Sequence, residues 1–310
     1  MAPRRSANSL SARVRPIVHA VVGFFFIGMI RILRLINRMP MANFAAAAMQ
    51  TVGPWLPEHR VGRNNLAASM PEKTAAEIES IMRGVWDNLG RVAAEFAHID
   101  RLRIHYPERP GPNDIVYLPE ALERFLHLRL DNKPALIFAA HLANWELPAY
   151  VAEVYGLHAH VLYRRPNIGA VNDAVLKIRR GAMGTLVPTG LDAPLRLLRV
   201  LEGGGRVAML VDQYNVQGVE VTFFGRRTKA NPLIARLARH VDCPIHGVRI
   251  VRLPGDQFRA DLTEAITPAR DPAGTIDVAG TMQIITDIVE GWVREHPEQW
   301  LWVHRRWRDD

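Results

Sequence analysis

The first third of the chain carries apolar residues at helical spacing. Thr74 and Glu77 form the pattern of a capping box, in which each side chain bonds the backbone N–H of the other residue. Apolar residues then recur every three or four positions, which is the spacing of one helix face. The pattern therefore predicts a helix from Thr74 onwards with a continuous apolar face. That face comprises Ile78, Ile81, Val85, Leu89, Val92 and Phe96.

After Asp131 the pattern changes to short apolar runs that alternate with helical stretches. This alternation is typical of a sheet with helices packed on it. The chain is therefore predicted to have an α/β fold, with a mixed sheet flanked by helices. The predicted strands are 135–140, 159–163, 207–211, 219–224, 244–251 and 258–265. The predicted helices are 143–154, 170–180, 193–202, 232–240 and 275–295.

A nearly unbroken apolar run covers residues 17–30, and arginines lie on both sides of it. A full crossing needs about 20 apolar residues, so the run suits either a short span or a helix in the membrane interface. The predicted organisation is a basic membrane anchor and linker over residues 1–57, followed by one folded body over residues 58–310. A buried N-terminal helix of a soluble protein is the alternative.

The net charge of +8 is concentrated before Glu58, the first acidic residue. Seven arginines precede it, so the body is nearly neutral. A nucleic-acid-binding body would instead gather basic side chains on a contact face. The charge pattern therefore favours attachment to anionic lipid and speaks against nucleic acid as a partner. A non-catalytic basic scaffold at the membrane is the alternative outside the enzymes.

Candidate chemistry lies directly after the predicted strand 135–140, in the segment HLANWE at residues 141–146. Open α/β sheets bind ligands at the carboxyl ends of their strands. A turn that places His141 near Glu146 would let the carboxylate bond one imidazole nitrogen and leave the other as a base. Without a neighbouring nucleophile, such a pair suits direct transfer of an acyl group to a substrate hydroxyl. A surface histidine near a helix start is the alternative reading.

Other reactive side chains give weaker signals. His158 and His160 alternate along a predicted strand, and a pair at a sheet edge is favoured there over a metal site. The single cysteine, Cys243, excludes a disulfide framework and is expected to be a buried apolar residue. No nucleotide-binding glycine motif occurs in the sequence.

Several motifs together resemble the bacterial late acyltransferases of lipid A biosynthesis. The resemblance covers most of the chain, and the Glu form of the His141–Glu146 motif with the C-terminal tryptophan motif makes it specific. The motifs are NLGRVAAEF at 88–96, HLANWE at 141–146, YRRPN at 163–167, VDQ at 211–213, FFG at 223–225 and HPEQWLWVHRRW at 296–307.

The resemblance implies a membrane-bound O-acyltransferase on the cytoplasmic face of the bacterial inner membrane, with residues 58–310 as its catalytic domain. It would move a fatty acyl chain from acyl carrier protein, or from coenzyme A, to a hydroxyl of a Kdo-bearing lipid A precursor. The thioester is a co-substrate, and no cofactor is expected. His141 would be the general base and Glu146 its orienting partner. A lysophospholipid, an ornithine lipid or a glycolipid is the alternative acceptor.

The same resemblance places a phosphate- or donor-binding arginine in the segment YRRPN. Because this segment has an additional arginine, either Arg164 or Arg165 could occupy the family position, with Asn167 beside them. Arginine has a planar fork that suits phosphate and carboxylate groups. The other candidate substrate-binding residues are Arg179, Arg180, Asp212 and Gln213, with Arg226 and Arg227 as further arginines and Glu95 as a weaker acid.

Overall fold

The computed structural model describes residues 24, 28, 30–104, 115–164 and 169–308. A central sheet lies between two layers of helices, so the predicted α/β fold with a mixed sheet is confirmed. The strands of this sheet are β1 (Ile115–Tyr117), β2 (Ala135–Ala139), β3 (Ala159–Tyr163), β4 (Thr185–Pro188), β5 (Arg206–Leu210), β8 (Ile245–Leu253) and β9 (Gln257–Leu262). Strands β6 (Tyr214–Phe223) and β7 (Arg226–Ala230) form a separate antiparallel hairpin.

The seven-stranded sheet has the order β1-β9-β8-β2-β5-β3-β4. Five strands run parallel to one another, namely β8, β2, β5, β3 and β4. Strand β9 is antiparallel to β8, and β1 pairs with β9 in parallel. Strand β2 is buried along its whole length at the centre of this order. Its carboxyl end therefore meets the carboxyl ends of β5 and β8 at one edge of the sheet.

The helices are α1 (Arg38–Val52), α2 (Pro57–Ser69), α3 (Ala75–Phe96), α4 (Pro119–Leu130), α5 (Leu147–Val154), α6 (Gly169–Arg180), α7 (Ala193–Glu202), α8 (Leu233–Val241) and α9 (Val278–Glu295). The main hydrophobic core joins α7, α8 and α9 to one face of the sheet, where Leu136 and Phe138 of β2 are fully buried. Helices α4 and α5 lie on the opposite face with smaller apolar clusters.

Helix α3 begins with the predicted capping box, in which Glu77 N–H donates to Thr74 Oγ1 and Thr74 N–H donates to the Glu77 carboxylate. Helix α1 packs closely against it through small residues. A Cβ atom on Gly90 of α3 would lie 2.4 Å from the carbonyl oxygen of Ala45. Helix α1, which lies within the predicted linker, therefore docks on the body.

Most predicted elements are confirmed to within a few residues, but the helix predicted from residue 143 begins only at Leu147. Residues 141–146 form the turn that the His141 argument requires. The sequence pattern does not predict the short strands β1 and β4, the polar strand β7, or helices α2 and α4. Cys243 is buried, as predicted, and burial raises the pKa of its thiol to about 11.

Most of the predicted anchor, residues 17–30, falls outside the described residues. In the part of the chain that the structure describes, no helix combines the length and hydrophobicity needed to cross a bilayer. The division of the chain at residue 57 stays a prediction.

Candidate active site

The parallel pairing of β2 with β5 brings together two residues that are 71 positions apart in the sequence. Ala139 pairs with Leu210 at the carboxyl ends of these strands. His141 and Asp212 each follow two residues later, so the same register places them side by side. The contact depends on strand pairing and not on the local sequence around His141.

Asp212 is a buried carboxylate with a full set of donors. His141 Nδ1 lies 2.8 Å from Asp212 Oδ1, while the His141 backbone N–H and the indole Nε1–H of Trp300 both donate to Oδ2, each at 2.8 Å. Burial raises the pKa of the Asp212 carboxyl, but the contacts with His141 and Trp300 outweigh it and lower the pKa to about 2. Asp212 is therefore ionised at neutral pH and orients the imidazole.

This arrangement defines the protonation of a neutral His141. A carboxylate can only accept, so the ring must carry its proton on Nδ1, and Nε2 keeps a lone pair. Nε2 faces the side-chain nitrogen of Gln213 at 3.2 Å, which suits an amide N–H donated to that lone pair. The indole of Trp145 packs against the imidazole with ring centroids 5.3 Å apart. His141 is thus held as a base whose Nε2 can accept a proton.

The prediction that Glu146 orients His141 is wrong. Glu146 instead forms a two-pronged ion pair with Arg179 of α6, with Nε 2.9 Å from Oε2 and a second contact from Nη2 to Oε1. Glu146 lies at the N-terminus of α5 and faces α6, whereas His141 Nδ1 faces the end of β5. The orienting carboxylate is Asp212, which had been predicted as a substrate-binding residue.

A buried polar network fixes the turn between His141 and α5. Asn144 donates from Nδ2 to Glu95 at 2.9 Å and accepts at Oδ1 from the Glu146 backbone N–H. Glu95, fully buried, is paired through both oxygens with Arg252 at the end of β8. Ala143 has a φ of 47°, in the left-handed region that a residue with a side chain seldom occupies. The network therefore holds a strained turn in one conformation, and Glu95 acts there rather than on substrate.

A cavity of about 640 Å³ opens at His141 and runs along the sheet beneath α4 and α5. Its wall is mostly apolar. Polar side chains gather at the catalytic end, where His141, Glu146, Arg164, Arg179, Gln213 and His304 line the space. The deeper wall includes Ala121, Phe125, Leu128, Ile137, Ala152, Leu157, Ala208 and Leu262.

The remaining predicted binding residues separate into three groups. Arg164 and Arg179 both line the cavity, the former exposed and the latter held by Glu146. Arg180 is exposed and lies outside the cavity lining, and Arg165 and Asn167 fall outside the described residues.

Among the further arginines, Arg227 is exposed, and Arg226 stacks over the indole of Trp307, 4.3 Å from its centroid. Arg226 thus supports the C-terminal segment instead of lining the cavity.

The C-terminal tryptophan motif belongs to the core and to the site. Trp300 and Trp302 are 3% and 0% exposed, so both indoles pack in the core. Trp300 reaches Asp212, and His304 from the same segment lines the cavity. His304 is not among the residues predicted from the sequence, although its position in the motif HPEQWLWVHRRW was a usable signal.

A histidine–aspartate pair lies at the carboxyl edge of an α/β sheet and opens on a mostly apolar cavity, an arrangement that suits an enzyme site. The sequence matches the family model of bacterial lipid A biosynthesis acyltransferase over residues 12–309, and the chain belongs to this family. It is accordingly an acyltransferase of lipid A biosynthesis, and so of lipopolysaccharide assembly. No protein with a curated description matched the sequence.

We expect Asp212→Asn to lower acyl transfer on the order of 10³-fold, since an amide neither fixes the Nδ1 proton nor balances an imidazolium. Stability should change too. The folded pKa of about 2 lies below the ordinary 3.8, so the ionised carboxylate stabilises the fold above about pH 4, and this contribution is lost as the pH falls towards 2.

Urea denaturation of both proteins at a series of pH values checks this prediction. The difference in unfolding free energy should be constant above about pH 4 and shrink below it. Asp192→Asn is the matched control, because that carboxylate is 71% exposed and should leave both activity and stability unchanged. A difference that grows in acid would contradict the assigned charge state.

Proposed function

We propose that this protein transfers a fatty acyl chain from an acyl thioester, with acyl carrier protein as the expected donor, to a hydroxyl group of a Kdo-lipid A precursor. The observation that carries the proposal is the apolar cavity that opens at His141. A saturated chain has no polar group to recognise, so its site must be a long apolar space. The thioester at the head of the chain must lie near a base that activates the acceptor hydroxyl. His141, which lines the cavity, is that base.

The transfer step follows from the tautomer of His141. The acceptor hydroxyl displaces Gln213 from Nε2, donates its proton there and attacks the thioester carbonyl carbon. Asp212 stabilises the imidazolium that forms, through the Nδ1 hydrogen bond and its buried negative charge. Collapse of the intermediate breaks the C–S bond, and the proton leaves with the thiol. No enzyme nucleophile is needed.

Arginines at the catalytic end of the cavity fit the anionic groups of both substrates. Arg179 is fixed by Glu146, while Arg164 is exposed at the end of β3. Guanidinium groups bind phosphate and carboxylate oxygens with two parallel hydrogen bonds. We assign Arg164 to phosphate or Kdo carboxylate groups brought to the mouth of the cavity. Arg179 lines the same cavity as a second guanidinium, although its fork is already paired with Glu146. Arg165 and Asn167 are expected from the sequence to contribute beside Arg164.

Attachment to the cytoplasmic face of the inner membrane is part of the proposal. Apolar side chains are exposed along α1 and the turn that follows it. Phe44 and Trp55 are 76% and 81% exposed, and Leu35 is 87% exposed just before α1. Large aromatic residues suit the boundary between headgroups and acyl chains. With the basic apolar segment before them, these residues support binding to anionic lipid.

The first test is mass spectrometry of a Kdo-lipid A precursor incubated with the protein and a panel of acyl carrier protein thioesters. We expect one added acyl mass with the wild type and none with His141→Ala. His158→Ala is the matched control, because His158 is 79% exposed on its side chain and lies outside the cavity lining. If acyl transfer occurs only to a lysophospholipid, an ornithine lipid or a glycolipid, that lipid takes the place of the Kdo-lipid A precursor as the acceptor. An active His141→Ala variant would contradict the proposal.

The cavity also sets the length of the transferred chain. Ala152 of α5 lines its apolar wall, so Ala152→Phe should fill part of the space and shift donor preference towards shorter chains. Competition between thioesters of different length measures this preference. Val154→Phe adds similar bulk at an exposed position on the same helix, outside the lining, and should keep the wild-type preference. If Ala152→Phe and Val154→Phe prefer the same chain length, the acyl chain does not occupy the part of the cavity beside Ala152.

Membrane attachment is tested with vesicles of phosphatidylethanolamine and phosphatidylglycerol. The double variant Phe44→Ser, Trp55→Ser should bind them about ten-fold more weakly or worse, since two large apolar side chains no longer leave water. The control is Leu118→Ser with Leu130→Ser, which removes two exposed leucines at the ends of α4. Equal binding by both double variants would exclude α1 and its following turn from the membrane contact.

A further inference from the structure

One buried nitrogen in the catalytic cavity has no role in the steps above. In the part of the chain that the structure describes, ring nitrogens of His160, His304 and Trp307 are buried without a hydrogen-bond partner. Of these residues only His304 lines the cavity, together with His141 and Gln213. A buried polar nitrogen left unpaired lowers stability, so a group supplied by substrate is the natural partner of His304 Nε2.

The backbone around His304 is firmly held. Asn65 of α2 donates from Nδ2 to the carbonyl oxygens of both Trp302 and His304, 2.9 Å from each. Two residues later, Arg306 is almost wholly buried, and its guanidinium donates to Thr228 and to the Lys229 carbonyl oxygen. The ring is therefore presented to the cavity from a fixed segment.

The surroundings keep His304 neutral. Burial lowers the pKa of its imidazole, and His141, Arg306 and Arg308 lower it further, while Asp212 acts in the opposite direction. A neutral imidazole carries one N–H donor and one lone pair. At physiological pH the ring can thus donate a hydrogen bond without adding a second positive charge beside His141.

His304 also borders a second, smaller hollow of about 260 Å³, lined by Glu58, Arg305 and Arg308 among others. It is thus common to this hollow and to the apolar cavity. Arg308 lies over the ring of Tyr214, which itself lines the apolar cavity, with 4.9 Å between the guanidinium carbon and the ring centroid. The thioester of a bound acyl donor belongs at the catalytic end of the chain site, where His141, Gln213 and His304 line the cavity together.

We propose that His304 is a further catalytic residue, whose Nε2–H donates a hydrogen bond to the carbonyl oxygen of the acyl donor thioester. The inference rests on the proposed function. When the acceptor hydroxyl gives its proton to His141 Nε2 and forms the new C–O bond, the carbonyl electron pair moves to that oxygen. His304 stabilises the resulting negative charge. The electron pair then re-forms the C=O bond, the C–S bond breaks, and the thiolate takes the proton from His141.

The test compares His304→Leu, His304→Asn and His304→Gln in the full-length protein, with the acceptor and thioester used by the wild type. His304→Leu should lower kcat about 10²-fold, the effect of losing one donor to an oxyanion, with KM for both substrates within a few-fold. His304→Gln should recover at least ten-fold of that loss, because its amide nitrogen can occupy the place of Nε2. His304→Asn is too short and should stay near the Leu variant.

The matched control is His296→Leu, a histidine of the same C-terminal segment that lies outside the cavity lining and faces Glu298. It should keep the wild-type kcat. Thermal unfolding of every variant separates folding from chemistry. If His304→Leu proves unstable, the comparison of His304→Gln with His304→Asn decides, since only the former restores a donor at the Nε2 position.

A kcat within three-fold of wild type for His304→Leu would overturn the inference, as would a change confined to KM or equal activities of the Gln and Asn variants. The proposed function has a separate indicator in His141→Ala. An inactive His141→Ala with a fully active His304→Leu removes only the role of His304. An active His141→Ala, or a wild type that acylates no lipid, removes the proposed function and this inference with it.

Discussion

The carboxylate of Asp212 is the point on which the rest of the site depends. It is buried at the carboxyl edge of the sheet and accepts hydrogen bonds from the turn after β2 and from the C-terminal segment. A buried charge is tolerated only when such donors surround it. These three hydrogen bonds therefore join the turn after β2 and the C-terminal segment to the carboxylate of Asp212. The same contacts orient His141, so the folding constraint and the catalytic geometry are one arrangement.

The C-terminal segment owes its position to aromatic packing. Trp300 contacts Phe223 and Trp302 edge-on, with ring centroids 5.5 and 4.7 Å apart. Such packing carries the indole nitrogen of Trp300 to Asp212 and the imidazole of His304 to the cavity. The C-terminal tryptophan motif is thus an internal support for the active site.

The two acidic residues near His141 differ in role because their surroundings differ. The hydrogen bonds of Asp212 come from His141 and Trp300, whereas Glu146 is matched by the guanidinium of Arg179. Behind them, Glu95 and Arg252 form an ion pair within the fold and hold Asn144. Buried ion pairs add little net stability, so this one is better understood as fixing the geometry of the turn.

The sequence predicted the local features well and the long-range ones poorly. The apolar run of β2, the capping box at Thr74 and the turn at His141 are read from neighbouring residues, and all are present. Glu146 was chosen because it was near His141 in sequence. The true partner, Asp212, follows β5 by as many residues as His141 follows β2, a relation visible only once those strands are known to pair.

The missed elements follow the same rule. Strand β7, RRTKA, has almost no apolar residue and exists because β6 pairs with it. Strands β1 and β4 are three and four residues long, too short for a periodic pattern to show. The edges of the sheet are thus determined by tertiary pairing, while its centre is determined by hydrophobicity.

The cavity arises from small side chains on the sheet and on the helices that cover it. Ala139, Ala208 and Ala260 line it from the strands, and Ala149 and Ala152 from α5. Larger residues at these positions would fill the interface as Leu136 and Phe138 fill the opposite face. Unfilled apolar space lowers stability, because the lining atoms lose contacts that a close-packed core would supply. The cavity beside His141 therefore lowers the stability of the free protein. A hydrocarbon chain bound there can restore the missing contacts.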